Sequence, residues 1–313
     1  VTPTLLLAER PFRTLLSRAL IAHAAAAVPH APPMVIAMPG GTPPTGFAIA
    51  PPGEVPPGTG QVVIAGAFLE RAALDAALDT ASRAVAAGAR LVVEAFSLEG
   101  EAARIAPPDG LGVLERAAAI TVRDHRTLNV LTLWRLAAPA RIAPYPERDV
   151  RPDPRYAAAL PPGPILGLAI RGGAEMRKSW APRVPAIRRL LARVEGWPVL
   201  PLLGQAPGAG DCDLAGSRDF AAAVLPGSPL LGQEIEDPVL WRRHARPARL
   251  KGQVARCALV VTNRDLPAAY AVACGVPVIG ISLGADRRIV SCLATLANEL
   301  PAGSDLVHPL PGP

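Results

Sequence analysis

The stretch Cys257-Ala-Leu-Val-Val-Thr-Asn-Arg264-Asp265-Leu-Pro267-Ala-Ala-Tyr-Ala-Val-Ala-Cys274-Gly275-Val-Pro-Val-Ile-Gly-Ile281 decides the fold. Residues 257–261 form an apolar run of strand length. They end in polar residues that pass directly into a short helix over 266–274, with Pro267 near its favoured first turn. Gly275 stands where a helix C-cap belongs, and residues 276–281 form a second buried strand. Strand, helix and strand joined by such short links make a parallel pair with a right-handed crossover.

The same alternation continues outward. Residues 165–170 and 197–203 read as strands. Ile187, Leu190, Leu191 and Val194 give a helical face, and a last helix covers 288–298. In the first half, Val62-Val63-Ile64 is a buried strand followed by helical spacing at Leu74, Ala77, Leu78, Ala81 and Val85, closed by Gly88. Strands over 90–96 and 119–122 follow, with helices over 112–118 and 127–136. Before them come a helix over 10–28 and an apolar run at 34–38. The Pro- and Gly-rich stretch 39–60 reads as a surface connection, with an active-site lid as the alternative. Prolines 144, 146, 152, 154, 161, 162 and 164 break the pattern and mark a linker. The expectation is α/β: two Rossmann-like domains with parallel sheets, GT-B-like, with a ligand cleft between them. The N-terminal domain is assigned to residues 1–150. The C-terminal domain, 151–313, carries the anion (donor) site.

Composition narrows the function classes. Half of the 313 residues are apolar, enough for two cores. The net charge is +6, and residues 161–313 hold 17 basic against 12 acidic side chains. Bases and aromatics do not interleave, so the excess favours a small anion over nucleic acid. The four cysteines have no CxxC spacing and the histidines no metal-ligand spacing, which predicts free thiols and no metal. No apolar stretch is long enough to span a bilayer, and a cytoplasmic location is expected. The chain begins at Val1, so a missing or alternative start is expected.

Ligands of open parallel sheets sit beyond the carboxyl ends of the strands, which selects four places. Ile120-Thr-Val-Arg123-Asp124 ends a first-half strand, either as a capped helix start or as a cleft-facing cluster. Ile170-Arg171-Gly172-Gly173 combines a bidentate cation with two glycines whose N–H groups could approach a ligand. Val261-Thr-Asn263-Arg264-Asp265 is the sharpest signal: an arginine at a strand end, with either an anion or Asp265 as its partner. Ser282, with Arg287 or Arg288, suits an anion-binding turn or a solvated helix start.

In order and spacing, Ile120-Thr-Val-Arg-Asp124, Asp153-Pro154, Ile165-Leu-Gly-Leu-Ala-Ile-Arg171 and residues 255–281 resemble polysaccharide pyruvyl transferases. The resemblance covers roughly residues 60–300. It implies transfer of a pyruvyl group from phosphoenolpyruvate to a sugar hydroxyl of a glycan or glycan precursor, without a cofactor. Arg171 and Arg264 fall where the donor-holding arginines would lie. The family's Gly-Asn-x-Gly-Asp type turn is absent from residues 1–60, and Leu266 stands at its histidine position. Asp265 would then stand in as the acid, with Asp124 as the second catalytic candidate. Arg123, Arg171, Gly172, Gly173, Asn263, Arg264, Ser282 and Arg287 are the candidate substrate-binding residues. The implied partners are an anionic donor and a glycan acceptor; a lipid-linked acceptor would bring the protein to a membrane surface. A GT-B glycosyltransferase using a nucleotide sugar and a non-catalytic binding protein on a degenerate transferase fold are the alternatives. On either transferase reading, Arg264→Ala is expected to weaken donor binding and leave stability nearly unchanged.

Overall fold

A computed structural model describes residues 3–9, 14–27, 34–37, 47–143, 145–208, 212–282, 288–298, 300 and 304–310. The chain divides into two compact units, Val1–Phe12 with Ser17–Pro146 and Arg13–Leu16 with Glu147–Pro313. Each is a Rossmann-like α/β unit built on an all-parallel sheet.

The N-terminal unit holds β1 (Thr4–Leu7), most of α1 (Leu15–Ala27), β2 (Met34–Ala37), β3 (Phe47–Ala50), β4 (Gln61–Phe68), α2 (Arg71–Ala86), β5 (Arg90–Leu98), β6 (Ile120–Val122), α3 (His125–Leu133) and β7 (Ala140–Ile142). Its strands lie in the order β3-β2-β1-β4-β5-β6-β7. Both faces of the central strands are buried. Leu5, Val62 and Ile64 face a core shared with Leu74, Leu78 and Phe96, while Leu6, Val63 and Ala65 face Ile21 and Ile36. Such two-sided burial explains why these strands read as continuous apolar runs.

Several expectations are corrected here. The alternation starts at β1, a strand that the sequence reading does not include, ahead of the helix expected over 10–28. The 39–60 stretch, expected as a connection, contains β3, an edge strand paired with β2. Its prolines flank the strand instead of entering it, as an edge position permits. The part of the lid reading that concerns residues 39–46 lies outside the described residues. The helix expected over 112–118 is a 3₁₀ segment, Leu111–Arg116.

The C-terminal unit holds α4 (Pro154–Ala158), β8 (Leu166–Ala169), α5 (Ala174–Trp180), α6 (Val184–Leu191), β9 (Val199–Pro201), α7 (Asp213–Val224), α8 (Pro238–His244), α9 (Pro247–Arg256), β10 (Leu259–Thr262), α10 (Asp265–Ala273), β11 (Val278–Ile281), α11 (Arg288–Ala297) and β12 (Val307–Leu310). The order β12-β11-β10-β8-β9 is the doubly wound arrangement 2-1-3-4-5 read in the reverse direction. The core packs Leu166, Leu168, Val261 and Ile279 against Trp180, Ile187, Leu191 and Phe220. Part of the proline-rich segment is fastened to α9. The N–H of Asp153 donates to the Ala248 carbonyl at 2.9 Å, and the guanidinium of Arg249 stacks 4.3 Å from the centre of the Tyr156 ring.

Candidate functional site

In a sheet ordered 2-1-3-4-5, the direction of winding reverses between the first and third strands, here β8 and β10. In open α/β sheets the chain leaves such a pair of strands toward opposite faces, and ligands bind in the crevice beyond their carboxyl ends. Three segments meet at this place: residues 170–173 after β8, residues 263–265 after β10, and the first turn of α7.

Side chains and backbone lock these segments together. The N–H of Arg171 donates to Asn263 Oδ1 at 2.8 Å, tying the β8 exit to the β10 exit across the switch point. Thr262 is fully buried. Its hydroxyl donates to the Ala169 carbonyl at 3.0 Å and accepts from the Arg264 N–H at 2.8 Å. The Gly172 N–H donates to the Cys212 carbonyl at 3.2 Å, joining the β8 exit to the cap of α7. Gly216 makes that approach possible. A Cβ there would lie 2.2 Å from the Ile170 carbonyl oxygen and 2.5 Å from the Gly172 nitrogen. Gly173, at φ +105°, turns the chain into α5 through a conformation that disfavours larger residues.

Arg264 lies at the head of α10 and is mostly buried. Its Nε donates to Asp213 Oδ1 at 2.6 Å, and its Nη2 donates to Gln205 Oε1 at 2.7 Å. The Asp213 side chain is 1% exposed, and its second oxygen accepts the Gly204 N–H at 2.8 Å. Asp213 begins α7, where the positive helix end favours a carboxylate. The partner of Arg264 is therefore 51 residues away in sequence, beyond the reach of a local reading. Neither Asp213 nor Gln205 carries a motif that singles it out.

The candidate residues divide as follows. Arg171, Gly172, Gly173, Asn263, Arg264 and Asp265 are brought together around the switch point. Ser282 follows the neighbouring strand β11; it is buried, and its carbonyl accepts from Arg183 Nη1 at 3.0 Å. Arg287 lies outside the described residues. The backbone cradle expected at the glycines is corrected in part, because the N–H groups of Arg171 and Gly172 already have protein acceptors. Arg123 and Asp124 belong to the N-terminal unit, where both have structural partners. Arg123 is 1% exposed and sits 5.0 Å from the centre of the Tyr145 ring. Asp124 caps α3 by accepting the Thr127 N–H at 2.7 Å, and it also accepts from the Ser97 hydroxyl at 3.1 Å. Of the two readings of that segment, the capped helix start is the one these bonds describe.

The four cysteines are free thiols. Burial pushes the Cys257 thiol up to about 12 and also raises that of Cys274, which keeps both protonated and poorly nucleophilic. Among the described residues, no group of three or more histidine, cysteine, aspartate or glutamate side chains could hold a metal ion. Among them, too, no helix is long and apolar enough to cross a membrane.

No protein-family model matches the chain, and no curated protein matches it. Among solved structures it is similar to the crystal structure of MurG from Acinetobacter baumannii. The identity is 11%, the TM-score is 0.49, and the match covers 99% of this chain and 85% of that one.

Proposed function

We propose that the protein is a glycosyltransferase that uses a nucleotide sugar, and that the C-terminal unit binds the donor at the β8/β10 switch point. The observation that carries this reading is the 2-1-3-4-5 order, with Arg171, Asn263 and Arg264 gathered where it reverses. That crevice is the general site for nucleotide-like ligands on open α/β sheets. A nucleotide sugar is a diester of diphosphate and carries two charges. When its bond to the sugar C1 breaks, the nucleoside diphosphate leaves with one charge more; in this reading Arg171 is the cation that meets it, and Arg264, already paired with Asp213, supplies direction rather than net charge. Asp265, half-buried at the head of α10, is the carboxylate nearest in sequence to those groups and the candidate to take the proton of the acceptor hydroxyl. The acceptor in this reading is a glycan or a lipid-linked precursor, and the second of these would bring the protein to a membrane surface.

Pyruvyl transfer from phosphoenolpyruvate has less support. It calls for two cations to face a compact trianion, and the charge of Arg264 is already balanced by a buried carboxylate. A thermal-shift series with UDP-sugars, GDP-sugars and phosphoenolpyruvate tests the choice, since a ligand that binds only the native state raises Tm. The expected result is a rise with one class of nucleotide sugar and none with phosphoenolpyruvate. A rise with phosphoenolpyruvate alone would reject the proposal.

A further inference from the structure

The geometry points to Asp213 and Gln205 as the residues that set the charge selectivity of the switch-point site, by holding Arg264 as an oriented and largely neutralised donor that favours a dianionic diphosphate diester over a compact, more highly charged anion. The inference rests on the donor reading above and deepens it.

A guanidinium has five N–H donors in a rigid plane, so two well-formed bonds fix its orientation. Here one bond goes to a carboxylate that begins α7 and the other to an amide on the loop after β9. Both supports are anchored through the loop after β9. The second oxygen of Asp213 accepts the Gly204 N–H, and a Cβ at Gly204 would come within 3.2 Å of that oxygen. Gln205 forms a backbone bridge with Thr14, and the Leu15 N–H donates to the Gly204 carbonyl at 2.9 Å. The first turn of α7 is itself pressed against the β8 exit through Gly216. Asp213 therefore cannot shift without moving the wall of the crevice.

The consequence is electrostatic. In a poorly solvated site, an arginine without a counter-ion attracts most strongly the ligand with the highest charge density. Pairing it with a buried carboxylate removes most of that attraction and leaves direction in its place. The bulk excess of bases in residues 161–313 does not set selectivity at this point, because the local pair cancels.

Titration calorimetry with inorganic pyrophosphate as the common anion, and with UDP-glucose and GDP-mannose as donors, tests the assignment. Asp213→Asn removes the counter-charge and should tighten pyrophosphate binding at least tenfold relative to the wild-type protein. Gln205→Glu, on a half-buried loop where the fold is less at risk, adds a counter-charge and should weaken pyrophosphate at least threefold on the same scale. If Asp213→Asn does not fold, the Gln205→Glu shift decides alone. Pyrophosphate affinity unchanged in Gln205→Glu, or in a folded Asp213→Asn, overturns the assignment. The preference of the wild-type protein between donors tests the donor reading separately, because the pyrophosphate shift is read between variant and wild type whichever donor binds.

Discussion

Arg264 is both a candidate ligand residue and half of a buried ion pair, and the second role changes what its removal does. Truncating it leaves the carboxylate of Asp213 buried and unpaired, a situation that costs about 3–5 kcal/mol. Arg264→Ala should therefore lower stability by about 3 kcal/mol in urea unfolding, with Arg264→Lys intermediate. A loss below about 0.5 kcal/mol would mean that the pair is not formed in solution. This replaces the sequence expectation of a nearly neutral change. Asp124 offers a contrast on the same scale. Its carboxylate caps α3, so Asp124→Ala should cost about 1 kcal/mol, and on this account it should leave donor affinity unchanged. A large affinity loss without a stability loss would return Asp124 to the catalytic candidates. Both residues were legible in the sequence as strand-end groups. Their partners were not equally so: Thr127 lies one helical turn from Asp124, whereas Asp213 is brought to Arg264 only by the packing of α7.

At the scale of elements, α7 shows what a reading of local pattern misses. Its sequence, Asp213-Leu-Ala-Gly-Ser-Arg-Asp-Phe-Ala-Ala-Ala-Val224, carries a glycine that weakens a helix by about 1 kcal/mol relative to alanine. The glycine is there for a tertiary reason, the backbone of the β8 exit. Gly216→Ala should therefore destabilise the protein despite the better helix propensity of alanine, by about 1–3 kcal/mol of overpacking. Chemical denaturation would check this, and a stabilised variant would show that α7 stands farther from β8. The short outer strands escaped for a different reason. β7 has three residues, and β12 has four that include Pro309, too few for a periodic signal. Of the strands buried on both faces, β4 and β8 to β11 were legible because apolar runs of Val, Ile and Leu have few other uses, whereas β1 was not read.

For the whole molecule, the parallel α/β character was readable from alternation, since βαβ units impose their own topology. The orders 3-2-1-4-5-6-7 and 2-1-3-4-5 were not readable, because strand neighbours depend on which crossover passes over which strand. It is the second order that turns a list of strand-end residues into one crevice. The central claim, that a nucleotide sugar binds at the β8/β10 switch point, is tested most directly by amide hydrogen exchange with and without saturating nucleotide sugar. The account predicts slowed exchange at residues 170–173 and 263–265 together, with the responding sugar nucleotide taken from the thermal-shift series. Exchange at both segments unchanged by every nucleotide sugar, or slowed by phosphoenolpyruvate alone, would contradict it.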